Sequence, residues 1–385
     1  MRITGIKTHM VNVGFRDWII VKLETDEGIT GLGEATMEGR ERAVLGSLKE
    51  MESYLIGKDP RQIELHWNTI VRDGYFQPSV TLLSALAGVE MAMWDILGKQ
   101  LGVPVYALLG GACRDRVPVY NNAWYFGAKT LDDYARLASE AVAQGFNHLK
   151  WDPFWEYDIF PDREQILRAK ECVRLVREAV GDDVELLIEC HGRFSPDSAV
   201  RIAHELEEYR PYWLEEPIPP NSRVDSLAWV TANVNTRIAA GERMYTRWGF
   251  WEALDKHAVA VIQPDTIHCG GILETKKIAA LAHVSYVGVA PHSPCGPVLA
   301  AANAHIDFST PNFLIQEFFY PDAPVYHEIL KDPWPLPVNG AIELPQKPGL
   351  GVDLNEEAIE RRVFEFRDRL YIGGLWKNLE EFEKR

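Results

Sequence analysis

Cysteine is scarce in this chain of 385 residues, and no two cysteines are spaced as a C-x-x-C pair. The five positions are Cys113, Cys172, Cys190, Cys269 and Cys295. An odd, scattered set predicts neither a disulfide framework nor a zinc finger. The pattern is typical of a protein that stays reduced in the cytoplasm.

Long apolar runs and an excess of basic residues are also lacking. No apolar run approaches the roughly 20 residues that a membrane-spanning helix needs. The N-terminal stretch MRITGIKTHMVNVGF has no basic region followed by an apolar core, so no secretion signal is expected. The formal net charge is −16, which disfavours nucleic acid and anionic membranes as partners. An anionic substrate would therefore need local cations to bind it.

The first 115 residues carry strand patterns followed by helix patterns. The segment WIIVKLETDEGITGLGEA predicts a hairpin with its turn at Asp26-Glu27-Gly28. Helical patterns follow at 41–56, 60–72 and 82–102. Strands followed by helices indicate an α+β unit over residues 1–115.

From residue 116 to about 325, short apolar runs alternate with helical stretches. The runs are VPVYNNAW, HLKWDP, ELLIECH, YWLEEP, RIAAGER, VAVIQPD, VGVAPHS and FLIQE. From the third run onward, their polar ends recur every 23 to 27 residues. Eight strands alternating with helices predict a (β/α)₈ barrel of TIM type, and an open doubly wound sheet is the weaker alternative. The tail, residues 326–385, is expected to pack back on the first unit.

Three glutamates close neighbouring strands of the predicted barrel: Glu189, Glu215 and Glu242. Side chains at the carboxyl ends of barrel strands point into a shared mouth, where active sites lie. Three carboxylates there would repel one another unless a cation lay between them, and all-oxygen ligation favours Mg²⁺. The alternative is a structural ion network with nearby arginines. These are Arg193, Arg243 and Arg247.

Two histidines are predicted to face each other across this mouth. His292 ends the seventh strand, beside Asp265 at the end of the sixth, and an aspartate can hold a histidine in the tautomer that a general base needs. His191 follows the third strand, four positions away in a ring of eight. Cys190 alternates to the opposite side of that strand, so we interpret it as packing.

Weaker signals indicate substrate contacts. Lys150 and Asp152 share one side of the second strand, where they could meet a substrate carboxylate or a neighbouring charge. Glu317 ends the eighth strand, where it could accept a hydrogen bond from a substrate oxygen or pair with a cation. Two loops of the first unit, 14–18 and 73–78, are expected to select the substrate. Their candidate residues are Arg16, Asp17, Tyr75 and Gln77.

With these residues in place, the chain resembles the enolase superfamily in its mandelate racemase subgroup, and within it the sugar-acid dehydratases. The resemblance spans nearly the whole chain and includes SALAGVEMAMWDILGK, ECHGR, LEEP, AAGERMYTR, QPDTIHCGG, APHSPCGP and KPGLGV. It implies a modified TIM barrel covered by an N-terminal α+β capping domain that the C-terminal tail completes. Domain boundaries are expected at 1–115, 116–325 and 326–385.

The resemblance also implies roles for individual residues. The metal ligands of the family correspond to Glu189, Glu215 and Glu242, its base dyad to His292 with Asp265, and its second histidine to His191. The strand-eight glutamate corresponds to Glu317, and a strand-two lysine near the substrate to Lys150. The sequence departs from the family pattern twice. Glu189 stands where the first ligand is usually Asp, and Lys150-Trp151-Asp152 lacks the second lysine of the racemases.

These roles predict a Mg²⁺-dependent dehydratase that converts an aldonate, such as galactonate or gluconate, to a 2-keto-3-deoxy acid. His292 would remove the C2 proton, and His191 would protonate the departing 3-hydroxyl group. A racemase or epimerase of a 2-hydroxy acid is the nearest alternative, and a non-catalytic sugar-acid-binding protein is a second. The resemblance also implies a homo-oligomer, either a dimer or an octamer.

Overall fold

The computed structural model describes residues 1–14, 16–155, 158–319, 323–334, 336–362 and 364. It begins with a three-stranded antiparallel sheet in the order β1-β2-β3. The strands are β1 (Ile3–Asn12), β2 (Asp17–Thr25) and β3 (Thr30–Glu34). The β2–β3 hairpin turns where it was predicted, with Gly28 at a φ of 77° that favours glycine. Sequence reasoning missed β1, because its residues do not alternate cleanly between buried and exposed.

Four helices follow this sheet: α1 (Glu41–Leu55), α2 (Ile63–Val71), α3 (Val80–Leu101) and α4 (Val105–Leu108). The first three confirm the predicted helical segments. Helix α3 begins at Ser79, whose Oγ accepts the Leu82 N–H at 3.2 Å, and ends at Gly102 in the left-handed conformation. It packs directly on β3, and glycine at position 33 allows this close approach, since a Cβ there would lie only 1.8 Å from the Gly88 carbonyl oxygen.

Helix α3 is also the one described helix that is long and apolar enough to meet a membrane-span criterion, with a mean hydropathy of 1.5. The expectation that no such run occurs was therefore wrong for this segment. The criterion considers length and composition only, and 72% of the apolar window of α3 is buried inside the protein. A helix that packs in a core has the same composition.

Among the described residues, eight parallel strands form the second part of the fold and confirm the predicted barrel. They are β4 (Arg116–Asn122), β5 (His148–Trp151), β6 (Glu185–Glu189), β7 (Trp213–Glu215), β8 (Ile238–Ala240), β9 (Val261–Ile262), β10 (Gly288–Val289) and β11 (Gln316–Phe319). Neighbours along the chain pair with one another from β4 to β10, and β11 pairs with β4. Hydrogen bonds of Val289 with Asn312 and Leu314 close the ring between β10 and the segment before β11.

Within the described part of the chain, seven α-helices cover the outside of the ring: α5 (Leu131–Ala143), α6 (Arg163–Val180), α7 (Pro196–Leu206), α8 (Val224–Ala232), α9 (Thr246–Asp255), α10 (Ile272–Val284) and α11 (Pro297–Ser309). Inside the ring, side chains from most strands form a small apolar cluster. Its buried members are Tyr120, Leu187, Trp213, Ala239, Val261, Ala290 and Ile315. The interior is thus a packed core, and only the mouth is left for chemistry.

Buried carboxylates fasten the N-terminal unit to the barrel. Glu34 accepts the N–H groups of Gly296 and Leu299 at 2.7 and 2.9 Å, at the start of α11. Glu90 does the same for Ile272 and its neighbour at the start of α10. A helix N-terminus offers unpaired N–H groups and a positive dipole end, so a carboxylate is well placed there. The N-terminal unit is thereby held over the strand ends.

The C-terminal segment contacts both units. It contains α12 (Ala323–Ile329), β12 (Ala341–Glu343) and α13 (Glu356–Arg361). Strand β12 pairs antiparallel with β4 of the barrel. The Leu350 N–H donates to Asp95 of α3 at 2.8 Å, and Glu356 pairs with Lys22 of β2. Residues 365–385 of the predicted third segment lie outside the described residues.

Candidate active site

A cavity of about 400 Å³ lies between the barrel mouth and loops of the N-terminal unit. Barrel side chains that line it include Lys150, Glu189, His191, Glu242 and His292. The N-terminal unit contributes Arg16, Thr36, Met37, Glu38 and Val80. Both units therefore enclose the predicted catalytic groups.

The three predicted metal ligands converge in this mouth. Each of Glu189, Glu215 and Glu242 offers one carboxylate oxygen, and these oxygens lie within 4.8 Å of one another. Glu189 and Glu215 are directly paired ends of β6 and β7. Glu242 follows β8 after Gly241, which has a φ of 143° and leaves no room for a Cβ, since one would lie 2.9 Å from the Gln263 nitrogen. An all-carboxylate set of this kind fits a hard divalent cation.

Glu189 accommodates its extra methylene by folding back on its own chain. Its Oε1 accepts the backbone N–H of His191 at 2.6 Å, while a carboxylate oxygen stays within the ligand cluster. Burial and the neighbouring Glu215 carboxylate raise the pKa of Glu189 well above its usual range. A group in this state gains from a cation, because a cation removes the repulsion that opposes its ionisation.

Lys150 occupies the centre of the carboxylates. Its Nζ lies 2.6 Å from Glu215, 3.0 Å from Glu317 and 3.5 Å from Glu189. Burial alone would lower the pKa of Lys150, but these carboxylates raise it well above its usual value, so the ammonium stays charged. When all four carboxylates of this mouth are ionised, the positive charges of Lys150 and His292 do not offset them, and the excess of negative charge is available for a divalent cation to neutralise.

The alternative of a structural arginine network receives little support from the contacts. Arg193 pairs with Asp152, and Arg247 pairs with Glu274. Arg243 pairs with Glu216 at 2.8 Å, and its Nε lies 3.4 Å from Glu242. Among the described ion pairs, these arginines therefore leave the ligand cluster largely to Lys150.

His292 forms a dyad with Asp265. The two are held by a hydrogen bond of 2.7 Å between Nδ1 and Oδ2, and the other oxygen of Asp265 accepts the N–H groups of Ile267 and His268. The Nε2 atom lies 3.3 Å from Glu242 in the cavity wall. Burial would lower the pKa of His292, but the charges of Glu242, Glu317 and Asp265 raise it to about 9. A cation on Glu242 opposes that rise and favours the neutral ring that a base needs.

His191 lies on the opposite side of the ring, since β6 and β10 are four strands apart in either direction. Its Nδ1 lies 2.6 Å from Asp152, and Arg193 also binds that aspartate. Cys190 is buried in the main hydrophobic cluster, as predicted. The structure brings Asp152 to His191, but Asp152 is not among the described residues that line the cavity.

The remaining predicted substrate contacts divide into two groups. Arg16 lines the cavity, and Glu317 lies beneath it, held by Asn122 at 2.7 Å and the Ser293 N–H at 2.6 Å. Tyr75 is 95% exposed, and neither it nor Gln77 belongs to the described cavity lining, so the structure does not bring them to the site.

Sequence reasoning missed several lining residues, among them Glu38, Asn122, Tyr125, Tyr245 and His268. Asn122 could have been found, because it ends the first barrel strand just as the glutamates end theirs. Glu38 could not, because it lies on a loop of the N-terminal unit with no strand end to mark it.

Comparisons with known proteins agree with this architecture. Residues 1–110 match the mandelate racemase / muconate lactonizing enzyme N-terminal domain, and residues 133–358 match the enolase C-terminal domain-like family. A protein of Ralstonia pickettii named D-galactonate dehydratase is 38% identical over 383 residues, which cover 98% of this chain and 97% of that one. A Cronobacter sakazakii protein of the same name is 36% identical over 94% of both chains.

Solved structures give the same result. A mandelate racemase/muconate lactonizing enzyme from Jannaschia sp. CCS1 has a TM-score of 0.89 at 33% identity, covering 95% of this chain and 99% of that one. A member of the enolase superfamily from Salmonella Typhimurium has a TM-score of 0.89 at 31% identity, covering 94% and 98%.

Proposed function

This chain belongs to the mandelate racemase/muconate lactonizing enzyme family of the enolase superfamily, and on that premise we propose that it is a hydro-lyase that dehydrates a sugar acid. The substrate is an aldonate such as galactonate or gluconate, and the product is a 2-keto-3-deoxy acid. One observation carries the proposal: two histidine–aspartate pairs stand on opposite sides of a mouth that holds three converging carboxylates.

Glu189, Glu215 and Glu242 are the residues that would hold Mg²⁺ in this proposal. Their all-oxygen donor set, with Glu189 and Glu215 buried and Glu242 partly exposed, suits that ion better than zinc. When bound, the ion would supply positive charge against the substrate carboxylate and against the negative charge that develops when C2 loses its proton.

His292 acts as the general base. Asp265 accepts its Nδ1–H, so the lone pair of the neutral ring is on Nε2, the nitrogen that lies in the cavity wall. The aspartate then stabilises the imidazolium that forms when the C2 proton is taken. Glu317, whose position is set by Asn122 and Lys150, is placed to accept a hydrogen bond from a substrate oxygen.

His191 acts as the general acid from the other side. It donates its proton to the 3-hydroxyl group, which leaves as water while the electron pair from C2 forms the C2–C3 double bond. The resulting enol tautomerises to the 2-keto-3-deoxy acid. Lys150, the lysine present on the second strand, stays protonated among carboxylates, so it does not serve as the second base that a lysine-dependent racemase requires.

The reaction is tested by proton NMR in D₂O with Mg²⁺ against a panel of hexonates and pentonates. We expect the C2 proton signal to disappear while new 3-deoxy signals appear. Deuterium at C2 with the 3-hydroxyl group retained would indicate the epimerase, with His191 as a second base. Binding of an acid without any proton exchange would indicate the non-catalytic alternative.

The pair of Arg16 and Glu38 indicates whether the substrate ends in a hydroxyl group or in a second carboxylate. The Arg16 Nε lies 3.2 Å from a Glu38 oxygen, and the guanidinium stacks 4.5 Å from the Phe319 ring centroid. This ion pair lends the cavity donors and an acceptor with no net charge, so it suits the hydroxyl groups of an aldonate better than a second carboxylate. We expect Glu38→Gln to raise kcat/KM for an aldarate relative to the aldonate by roughly tenfold, or about 1.4 kcal/mol.

The measurement is a competition between the aldonate and its aldarate for one enzyme preparation. Glu50→Gln, on the exposed side of α1, is the matched control and should leave the ratio unchanged. A ratio that stays constant in Glu38→Gln would show that the ion pair does not select the end group.

We further propose that the protein works in the cytoplasm as a homo-oligomer, a dimer or an octamer, with a small anionic acid as its ligand and with domain boundaries at 115/116 and 325/326. Exposed tryptophans on two neighbouring barrel helices support assembly. They are Trp229, Trp248 and Trp251, each 47–56% exposed.

A further inference from the structure

His191 occupies an unusual backbone position directly after β6. Its φ is 49°, in the left-handed region that few residues other than glycine adopt. The backbone is held there by the bond from its N–H to Glu189 and by Arg243, whose Nη1 lies 3.3 Å from the His191 carbonyl oxygen. The side chain is 29% exposed and lines the cavity. The backbone is thus restrained, but the orientation of the ring depends on what its nitrogens contact.

Asp152 supplies that contact and has little freedom to do anything else. Its Oδ2 lies 2.6 Å from His191 Nδ1 and 2.5 Å from Arg193 Nη2. Its Oδ1 accepts the Phe154 N–H at 2.8 Å and lies 3.2 Å from Arg193 Nη1. The residue is 7% exposed, so both oxygens are engaged inside the protein. An aspartate held in this way cannot turn toward a substrate.

We infer that Asp152, held by Arg193, is the positioning residue for His191. It accepts the Nδ1–H of the protonated ring and thereby directs Nε2–H into the cavity, toward the departing hydroxyl group. After that proton is transferred to the oxygen, the neutral ring retains Nδ1–H on Asp152. This inference rests on the proposed function and assigns Asp152 a role that differs from the substrate contact expected from the sequence.

The contacts distinguish this pair from the dyad across the mouth. The charge of Asp152 is shared with a bidentate arginine, whereas the partners of Asp265 are His292, backbone N–H groups and His268 at 3.9 Å. The guanidinium fixes the plane of the Asp152 carboxylate, and that carboxylate in turn holds the His191 ring in one orientation.

The test is Asp152→Asn, followed by two readouts that separate the acid from the base. We expect dehydration to fall roughly 100-fold, while C2 exchange in D₂O, which depends on His292, changes less than about threefold. Exchange into recovered substrate then outpaces product formation. A 3-deoxy-3-fluoro aldonate loses fluoride without needing a proton from His191, so its elimination should remain close to the wild-type rate.

A merely structural role would slow all three reactions together, and that result would overturn the inference. Dehydration at the wild-type rate would also overturn it.

Arg193→Lys is a second variant, which keeps the positive charge but loses the bidentate contact with Asp152. We expect a smaller loss of dehydration, again with C2 exchange less affected, and equal slowing of exchange and dehydration would overturn the inference. This variant replaces Asp152→Asn if that protein does not fold. Asp183→Asn, at an exposed position, is the control. If the wild-type enzyme eliminates neither water nor fluoride from any acid, the proposed function itself has failed.

Discussion

His292→Asn should lower dehydration by about 10³- to 10⁴-fold and abolish deuterium exchange at C2. Asparagine approximates the size of the ring and can still approach Asp265, but it cannot accept the C2 proton. Every later event depends on that proton transfer, because water leaves from C3 only when the electron pair at C2 becomes available. We expect this to be the largest catalytic loss from any change that leaves the fold intact.

The same variant should still bind the acid, since the three carboxylates that would hold Mg²⁺ against the substrate carboxylate are unchanged. Rates are measured by NMR as product formation and as C2 exchange, and affinity by calorimetric titration of the aldonate. His283→Asn, at an exposed position on α10, is the matched control. Residual C2 exchange in His292→Asn would assign the base elsewhere. Unchanged turnover together with unchanged binding would contradict the catalytic role of the dyad altogether.

Glu189→Gln should remove most of the stabilisation that Mg²⁺ gives the folded protein. In wild-type protein without a divalent cation, Glu189 is buried beside the Glu215 carboxylate, which destabilises the folded state. Mg²⁺ at 100 times its Kd should stabilise the wild-type protein by about 2.7 kcal/mol. The glutamine removes the repulsion and can still accept the His191 N–H. We therefore expect it to be more stable than wild type in EDTA, to gain little from Mg²⁺, and to lose nearly all activity.

Thermal unfolding in EDTA and in a Mg²⁺ series checks both directions without relying on turnover. Glu208→Gln, at an exposed position just after α7 where the side chain pairs with Lys170, is the control and should retain the wild-type response to Mg²⁺. If the unfolding temperature of the wild-type protein does not change with Mg²⁺, the proposed metal site is contradicted. A variant less stable than wild type in EDTA would mean that the ion pair of Glu189 with Lys150 outweighs the repulsion from Glu215.

Much of the barrel could be predicted from the sequence because the relevant signals are local. Each strand is a short apolar run that ends in a polar residue, and these ends recur at nearly constant intervals. Alternation along a strand then assigns each side chain to the mouth or to the helix layer. This is why the sequence assigns Glu189 and Cys190 to opposite sides of their strand.

Positions without a local signal were beyond prediction. The first strand was missed because its pattern is irregular, and Glu38 because loops of the N-terminal unit reach the mouth only in the folded protein. Tyr75 was expected at the substrate on the strength of an aromatic loop, yet it is almost fully exposed. Nothing in a short polar and aromatic segment tells which way it faces.

The sequence by itself determined the eight-stranded ring, the three carboxylates at adjacent strand ends and the two histidines on opposite sides, since strand order and strand ends are encoded in neighbouring residues. Only the tertiary structure decided the partners of those groups. Asp152 reaches His191 across 39 residues, Lys150 lies among carboxylates from three other strands, and Glu189 folds back to its own backbone. Such partners depend on where side chains meet in a closed barrel. The distance between two side chains in space does not follow from the number of residues between them in the sequence.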